Sequence, residues 1–229
     1  MVNFKHFVTT ILPTFCYLCQ NRAEPHQVIC QGCLADLPAI EEACTLCGIS
    51  MLHPGVCGKC QRKPPKLNSV LTAYRYGYPV DRIIKKYKYK QDLSIARPLI
   101  NALICRINNE SSALPQAIVP VPLHYLRHYL KGFNQALEIA KIVGNAFNIS
   151  VDAHSLQRKR ATAPQYRLTP QQRKNNLAGA FRIKKPVSYR SIAIVDDIIT
   201  TGATGNEIAK LYRQAGVKHI ELWALARAD

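Results

Sequence analysis

The stretch Ile192-Ala193-Ile194-Val195-Asp196-Asp197-Ile198-Ile199-Thr200-Thr201-Gly202-Ala203-Thr204 constrains the fold of this chain more than any other. Four consecutive apolar residues without polar alternation fit a strand buried on both faces, the condition of a parallel sheet. Such a strand delivers Asp196 and Asp197 to the rim of the sheet, and the turn after them supplies hydroxyls and backbone N–H groups. Gly202 allows backbone to approach a ligand closely, and a helix begins there with its anion-favouring N-terminus. A phosphate fits the Thr200–Thr204 loop. Two acids just upstream would repel it unless ribose hydroxyls, with or without Mg²⁺, lay between. The bland alternative is a capped helix after a strand, with incidental acids.

The residues around this stretch alternate between strand and helix patterns. Val70–Tyr76 reads as a strand, Pro79–Lys90 as a basic amphipathic helix, and Leu93–Ile107 as a helix despite Pro98. Ala117–Val121 is a short strand, Asn134–Phe147 a helix, Ser191–Val195 a buried strand, Gly202–Ala215 a helix and Lys218–Ala224 a strand. Alternation of this kind implies a mainly parallel α/β sheet flanked by helices, with ligands at the carboxyl ends of its strands. The loop leaving Ala117–Val121 would emerge at the same rim, where Arg127 could grip a pyrophosphate bidentately and Lys131 could assist. His124 and His128 share that loop and are read as solvated.

Eight of the nine cysteines form four pairs of one spacing: Cys16/Cys19, Cys30/Cys33, Cys44/Cys47 and Cys57/Cys60. Each Cys-x-x-Cys turn can aim two sulfurs at one ion, and two turns complete a tetrahedral site, so eight ligands predict two structural Zn²⁺. Sequential pairing of the knuckles is expected, and an interleaved arrangement fits the same spacing. A disulfide framework needs an oxidising compartment, and the short opening apolar stretch Phe7–Leu12 is a poor secretory signal. A cytoplasmic protein without a membrane span is expected. Gly32, Gly48 and Gly58 fall in or just after knuckles, where turns favour positive φ. The lone Cys105 is expected in the core. The Arg62–Lys66 run with its paired prolines reads as a linker, which places a zinc module at 1–62 and the α/β domain at 63–229.

The net charge of +17 sits almost wholly in the middle of the chain, since residues 61–190 hold 24 of the 31 Lys and Arg. Any polyanion would bind there. Lys85, Lys86 and Lys88 interleave with Tyr74, Tyr76, Tyr78, Tyr87 and Tyr89, a pattern that could track a backbone and stack bases, although alternate tyrosines also fill cores or line an acceptor hood. Arg158–Gln172 is basic, polar and without core periodicity, and reads as a mobile flap from which Arg158, Arg160 and Gln165 could reach ligand or nucleic acid.

The acid pair followed by Thr200-Thr201-Gly202-Ala203-Thr204 resembles the phosphoribosyl pyrophosphate signature of type I phosphoribosyltransferases. Pro120-Val121-Pro122, Arg127, Lys131–Gln135, Arg158–Gln165 and Arg173–Asn176, in that order behind a cysteine module, resemble the ComF family across essentially the whole chain. The resemblance implies a type I phosphoribosyltransferase-like domain preceded by a double zinc ribbon. By it, Asp196 and Asp197 would hold ribose hydroxyls, Thr200, Thr201, Gly202, Ala203 and Thr204 would cradle the 5′-phosphate, and Mg²⁺ would accompany the ligand. It also implies a role in natural competence, in which the protein helps internalise single-stranded DNA alongside uptake-machinery proteins such as a helicase or DNA-processing factors. An active phosphoribosyltransferase with Arg127, Asp196 and Asp197 in catalysis, and a nucleotide-sensing regulator, remain alternatives at this stage.

Overall fold

The computed structural model describes residues 14–111, 113–123, 133–159, 177 and 179–228. In its N-terminal part, β1 (Thr14–Phe15) and β2 (Arg22–Ala23) pair antiparallel, while two five-residue helices, α1 (Gln31–Ala35) and α2 (Gly58–Arg62), each begin directly after a cysteine. The sulfurs of Cys16, Cys19, Cys30 and Cys33 lie within 4.8 Å of one another, and those of Cys44, Cys47, Cys57 and Cys60 do the same. A tetrahedral ion with Zn–S bonds of about 2.3 Å holds neighbouring sulfurs about 3.8 Å apart. Cys19 and Cys30 sit at 3.7 Å, and Cys47 and Cys57 at 3.8 Å. Backbone N–H groups of Leu18 and Cys30 each reach the Cys16 sulfur at 3.4 Å, and that of Cys57 reaches the Cys44 sulfur at 3.3 Å. Burial alone would raise the Cys16 thiol, but backbone donors including Cys30 and Leu18 pull it down to about 6, whereas burial and the neighbouring sulfurs push the Cys33 thiol of the same cluster up. The knuckles therefore pair sequentially, as two four-cysteine sites for structural zinc.

Gly48 follows the third knuckle with φ +72°, and a Cβ there would come within 2.8 Å of Val70 Cγ1. That knuckle seats on the sheet because the position is glycine. Gly32 and Gly58 depart from expectation, since both lie inside the short helices and neither is among the positive-φ glycines.

The larger part runs β3 (Ser69–Arg75), α3 (Val80–Lys90), α4 (Leu93–Glu110), β4 (Ala117–Pro120), α5 (Gln135–Phe147), β5 (Ser150–Val151), β6 (Leu156–Arg158), β7 (Phe181–Ile183), β8 (Ser191–Ile199), α6 (Ala203–Gln214) and β9 (His219–Arg227). Five strands pair in the order β3-β9-β8-β4-β5, all parallel. Alternate residues of central β8 enter opposite cores. Ala193 and Val195 pack with α3, α4 and α5, whereas Ile192 and Ile194 pack with Ile208, Ala209 and Tyr212 of α6. Helix α6 reaches the sheet so closely that a Cβ on Gly205 would lie 2.5 Å from Leu222 Cδ2.

The open edge of β3 is covered by the zinc module. The Val70 N–H donates to Thr45 O at 2.8 Å, the Ile40 N–H to Ala73 O at 3.0 Å, and the Arg75 N–H to Pro38 O at 2.9 Å. Edge groups that would otherwise recruit another chain are thereby satisfied. The Arg62–Lys66 run joins α2 to β3, and the Lys66 N–H is fixed by Asn206 Oδ1 at 2.7 Å.

Several expectations need correction. Strands β8 and β9 continue past Val195 and Ala224 to Ile199 and Arg227: the parallel ladder carries β8 through the less buried 196–198, and β9 stays buried to its end. Cys105 is exposed, since α4 buries Leu99, Leu103 and Ile107, and position 105 lies off that face. Arg158, expected to open a flap, instead pairs with Phe181 in the hairpin of β6 and β7. Three-residue strands leave no pattern that sequence reasoning can detect. Residues 160–172 of the expected flap lie outside the described residues. No helix among the described residues is long and apolar enough to cross a membrane.

The two-site arrangement predicts two zinc ions per chain by elemental analysis and one in Cys44→Ser. Hydrogen exchange should then accelerate at Val70 and Arg75, whose partners belong to the unstapled module. A variant holding two ions, or one whose β3 amides stay protected, would contradict this arrangement.

Candidate functional site

The site is built where β8 leaves the sheet. Asp196 pairs across from Ala224, so both acids belong to the strand itself. Because successive side chains alternate, Asp197 shares the face of Val195 and Asp196 that of Ile194. Lys88, in the last turn of α3, places Nζ 3.0 Å from Asp197 Oδ2 and also lowers the Asp196 carboxyl. Arg158 of β6 lowers the Asp196 carboxyl less than Lys88 does, and stacks 5.5 Å over the Phe181 ring. Burial and the adjacent Asp197 charge nonetheless win, and Asp196 is pushed up to about 7. The Asp197 N–H also donates to Asp196 Oδ1 at 2.9 Å. Burial would depress Lys88, but Asp197 more than reverses this and holds the ammonium above its ordinary value.

The Thr200–Thr204 loop follows at once. Gly202 takes φ +72° as the residue preceding α6, and among the described residues no atom beyond its chain neighbours lies within 4 Å of where its Cβ would stand. Glycine is therefore required by backbone conformation, and the space in front of it is open. The Ala203 N–H donates to Thr201 Oγ1 at 3.3 Å, and the Asn206 N–H closes the first turn on Gly202 O at 2.9 Å. Acids, hydroxyls and the positive end of a twelve-residue helix thus converge on one rim.

The residues expected to touch DNA separate in space. Lys85 pairs with Asp81 at 2.7 Å and remains mostly exposed. Lys86 lies 4.1 Å over the Tyr17 ring of the first zinc knuckle, tying α3 to the zinc module. Lys88 and Arg158 turn to the acid pair. Tyrosines divide likewise. Tyr87 is core, donates to Gln135 O at 2.9 Å and meets Phe133 edge-on at 5.5 Å. Tyr74 is also buried, whereas Tyr78 and Tyr89 are 71% and 75% exposed, with Arg82 stacked 5.4 Å over Tyr78. Arg127, Lys131, His124, His128, Arg160 and Gln165 lie outside the described residues.

Sequence reasoning missed one participant. Arg227, at the end of β9, is 7% exposed and donates to the carbonyl of Thr200, the first residue of the Thr200–Thr204 loop. The available signal is a basic residue closing the apolar run Leu222–Ala226, which a strand ended at Ala224 leaves out.

Residues 7–61 match the family described as double zinc ribbon domain. The chain is 34% identical over 222 residues to DNA utilization protein YhgH of Escherichia coli strain K12, an alignment covering 94% of this chain and 98% of that protein. It is 32% identical over 208 residues to competence protein F of Haemophilus influenzae, covering 87% and 90%, and 26% identical over 203 residues to competence protein ComFC of Streptococcus pneumoniae, covering 87% of each. A solved purine phosphoribosyltransferase from Pyrococcus horikoshii overlays at a TM-score of 0.36 and 16% identity, over 58% of this chain and 82% of that one. A relative one-third identical along nearly its full length, with the zinc ribbon at the front and the parallel α/β domain behind, establishes that the chain belongs to the ComF family.

Proposed function

We propose that this chain is a cytoplasmic competence protein whose α/β domain binds phosphoribosyl pyrophosphate or a related nucleotide, and which assists the internalisation of single-stranded DNA. The observation that carries the ligand assignment is the convergence of Asp196, Asp197 and the Thr200–Thr204 loop on one rim. Carboxylates accept from vicinal ribose hydroxyls, while loop N–H groups and the α6 N-terminus receive the 5′-phosphate. The donor set also suits Mg²⁺ carried on the diphosphate, whose charge would offset the acid pair. Lys88 and Arg158 supply cationic side chains at that pair for an anionic ligand. Relatives named for competence and DNA utilization support the biological role.

The acid pair itself argues for ligand binding. A carboxyl pushed towards 7 by burial and a like charge costs stability, a burden that clusters at functional sites. Its folded-state value lies above that of the unfolded chain, so the native state holds its proton longer. Stability is therefore lost as pH rises from about 4 to about 7. Asp196→Asn keeps the acceptor for the Asp197 N–H and removes this loss.

For nucleic acid, the exposed face of α3 and the turn before it offers Arg82, Lys85, Tyr78 and Tyr89, rings for stacking beside cations for phosphate. Dealings with a helicase or other uptake factors fall to the zinc module, whose near-neutral charge suits protein better than DNA. A second reading, catalytic transfer, would break the ribose C1–O bond to pyrophosphate as an acceptor supplies its electron pair to C1 and loses a proton. Release of pyrophosphate in the presence of bases or nucleic acid distinguishes it from binding alone.

Three measurements check these statements. The double variant Asp197→Asn with Thr201→Ala should weaken phosphoribosyl pyrophosphate binding by about 100-fold or more in calorimetry while two zinc ions remain; unchanged affinity would remove the assignment. Asp196→Asn should be more stable than the parent by about 1–3 kcal/mol at pH 8, with the gap closing towards pH 4, whereas parallel stability curves would contradict a buried acid. Single-stranded DNA affinity should fall steeply with salt, with a slope reduced by about two when Arg82 and Lys85 are neutralised together, and an affinity indifferent to salt would end the DNA proposal.

A further inference from the structure

Arg227 joins two parts of the molecule that have no sequence neighbourhood. Its Nε donates to the Cys47 carbonyl at 2.9 Å, and its Nη1 donates to the carbonyls of Ile199 at 3.4 Å, of Thr200 and of Ala228. Cys47 is a ligand of the second zinc cluster, and Thr200 opens the phosphate loop. The Ile199 carbonyl already accepts from the Ala228 N–H at 2.8 Å in continuation of the sheet. Strand β8 ends at Ile199, so the arginine fork is what holds the Thr200 carbonyl.

We propose that Arg227 is a positioning residue for the phosphate loop, and that through it the loop's geometry depends on metal occupancy of the Cys44, Cys47, Cys57 and Cys60 cluster. The chain of causes is short. A trans peptide is planar with its C=O and N–H pointing opposite ways. Drawing the Thr200 carbonyl inward therefore turns the Thr201 N–H outward, to the side where Gly202 leaves open space. The guanidinium that does this is rigid and planar, so one fork cannot satisfy carbonyls that drift apart. At its other end the Cys47 carbonyl is fixed by the knuckle, whose Gly48 N–H closes on Cys44 O at 2.8 Å and whose Gly48 sits against Val70. Without metal, Cys44 and Cys47 lose their common anchor and the fork loses one of its fixed points. Coupling of this kind is reciprocal, so ligand at the loop must also tighten that metal site.

This inference rests on the phosphoribosyl reading for its ligand but not for its geometry, and the test uses the full chain carrying both zinc ions. Two variants, Arg227→Gln and Arg227→Lys, are compared with the parent in amide exchange, in binding of phosphoribosyl pyrophosphate with Mg²⁺, and in zinc release to a chelator with and without that ligand. Arg227→Gln should keep two zinc ions and the protection of Ile192–Val195, yet lose protection at Ala203, whose N–H is held by Thr201 Oγ1. Its ligand affinity should fall roughly 10–100-fold, the range seen when a supporting partner of a site is removed. The ligand should slow release of one zinc ion in the parent and no longer do so in Arg227→Gln, with Arg227→Lys intermediate. Exchange that is unchanged at Ala203, or raised evenly along β8 and β9, would overturn the proposal, since a merely structural arginine gives the latter. A parent chain that ignores phosphoribosyl pyrophosphate would overturn the ligand assignment instead, and the exchange data would still decide the role of Arg227.

Discussion

Two carboxylates held side by side on a buried parallel strand are the constraint around which the rest of this molecule is arranged. Strand β8 is covered on both faces, so its register cannot slip by one residue without inverting two cores at once. That register fixes where Asp196 and Asp197 emerge and forces them towards opposite faces. Lys88 of α3 acts on both acids, and Arg158 of β6 adds a weaker influence on Asp196. Asp196 remains shifted even so, which marks the rim as a place where stability is given up to present charge.

The zinc module is part of the same construction. It hydrogen-bonds along β3, the edge strand that would otherwise stand open, and its Tyr17 ring receives Lys86 from α3. A small segment with little apolar surface relies on its metals to keep that shape. Consequently the metals organise more than their own ligands. The module they staple hydrogen-bonds along β3, and its Cys47 carbonyl accepts from Arg227, which also donates to the Thr200 carbonyl.

Much of this was legible in the sequence where short-range rules operate. Cysteine spacing foretold two tetrahedral sites, and the geometry chose sequential over interleaved pairing. The unalternated run Ile192–Val195 foretold a strand buried on both faces, and the Thr-Thr-Gly turn foretold a helix start, while the positive φ of Gly202 comes from the structure. What escaped depends on partners distant in sequence. Lys88 looked like one of several surface lysines, because nothing in α3 reveals that its last turn ends beside β8. Arg227 carries no local sign of its contacts, because its acceptors are carbonyls from residues 47 and 200. Cys105 was misplaced by averaging an apolar helix rather than counting its period. The hairpin of β6 and β7 has strands too short to carry a pattern.

The most direct test of the central claim is a crystal structure of the full chain grown with phosphoribosyl pyrophosphate and Mg²⁺. The account predicts ribose hydroxyls within hydrogen-bond distance of Asp196 and Asp197, and the 5′-phosphate seated on the N–H groups at the start of α6. Density for the ligand elsewhere, or an acid pair still closed on Lys88 at saturating ligand with the loop empty, would contradict it.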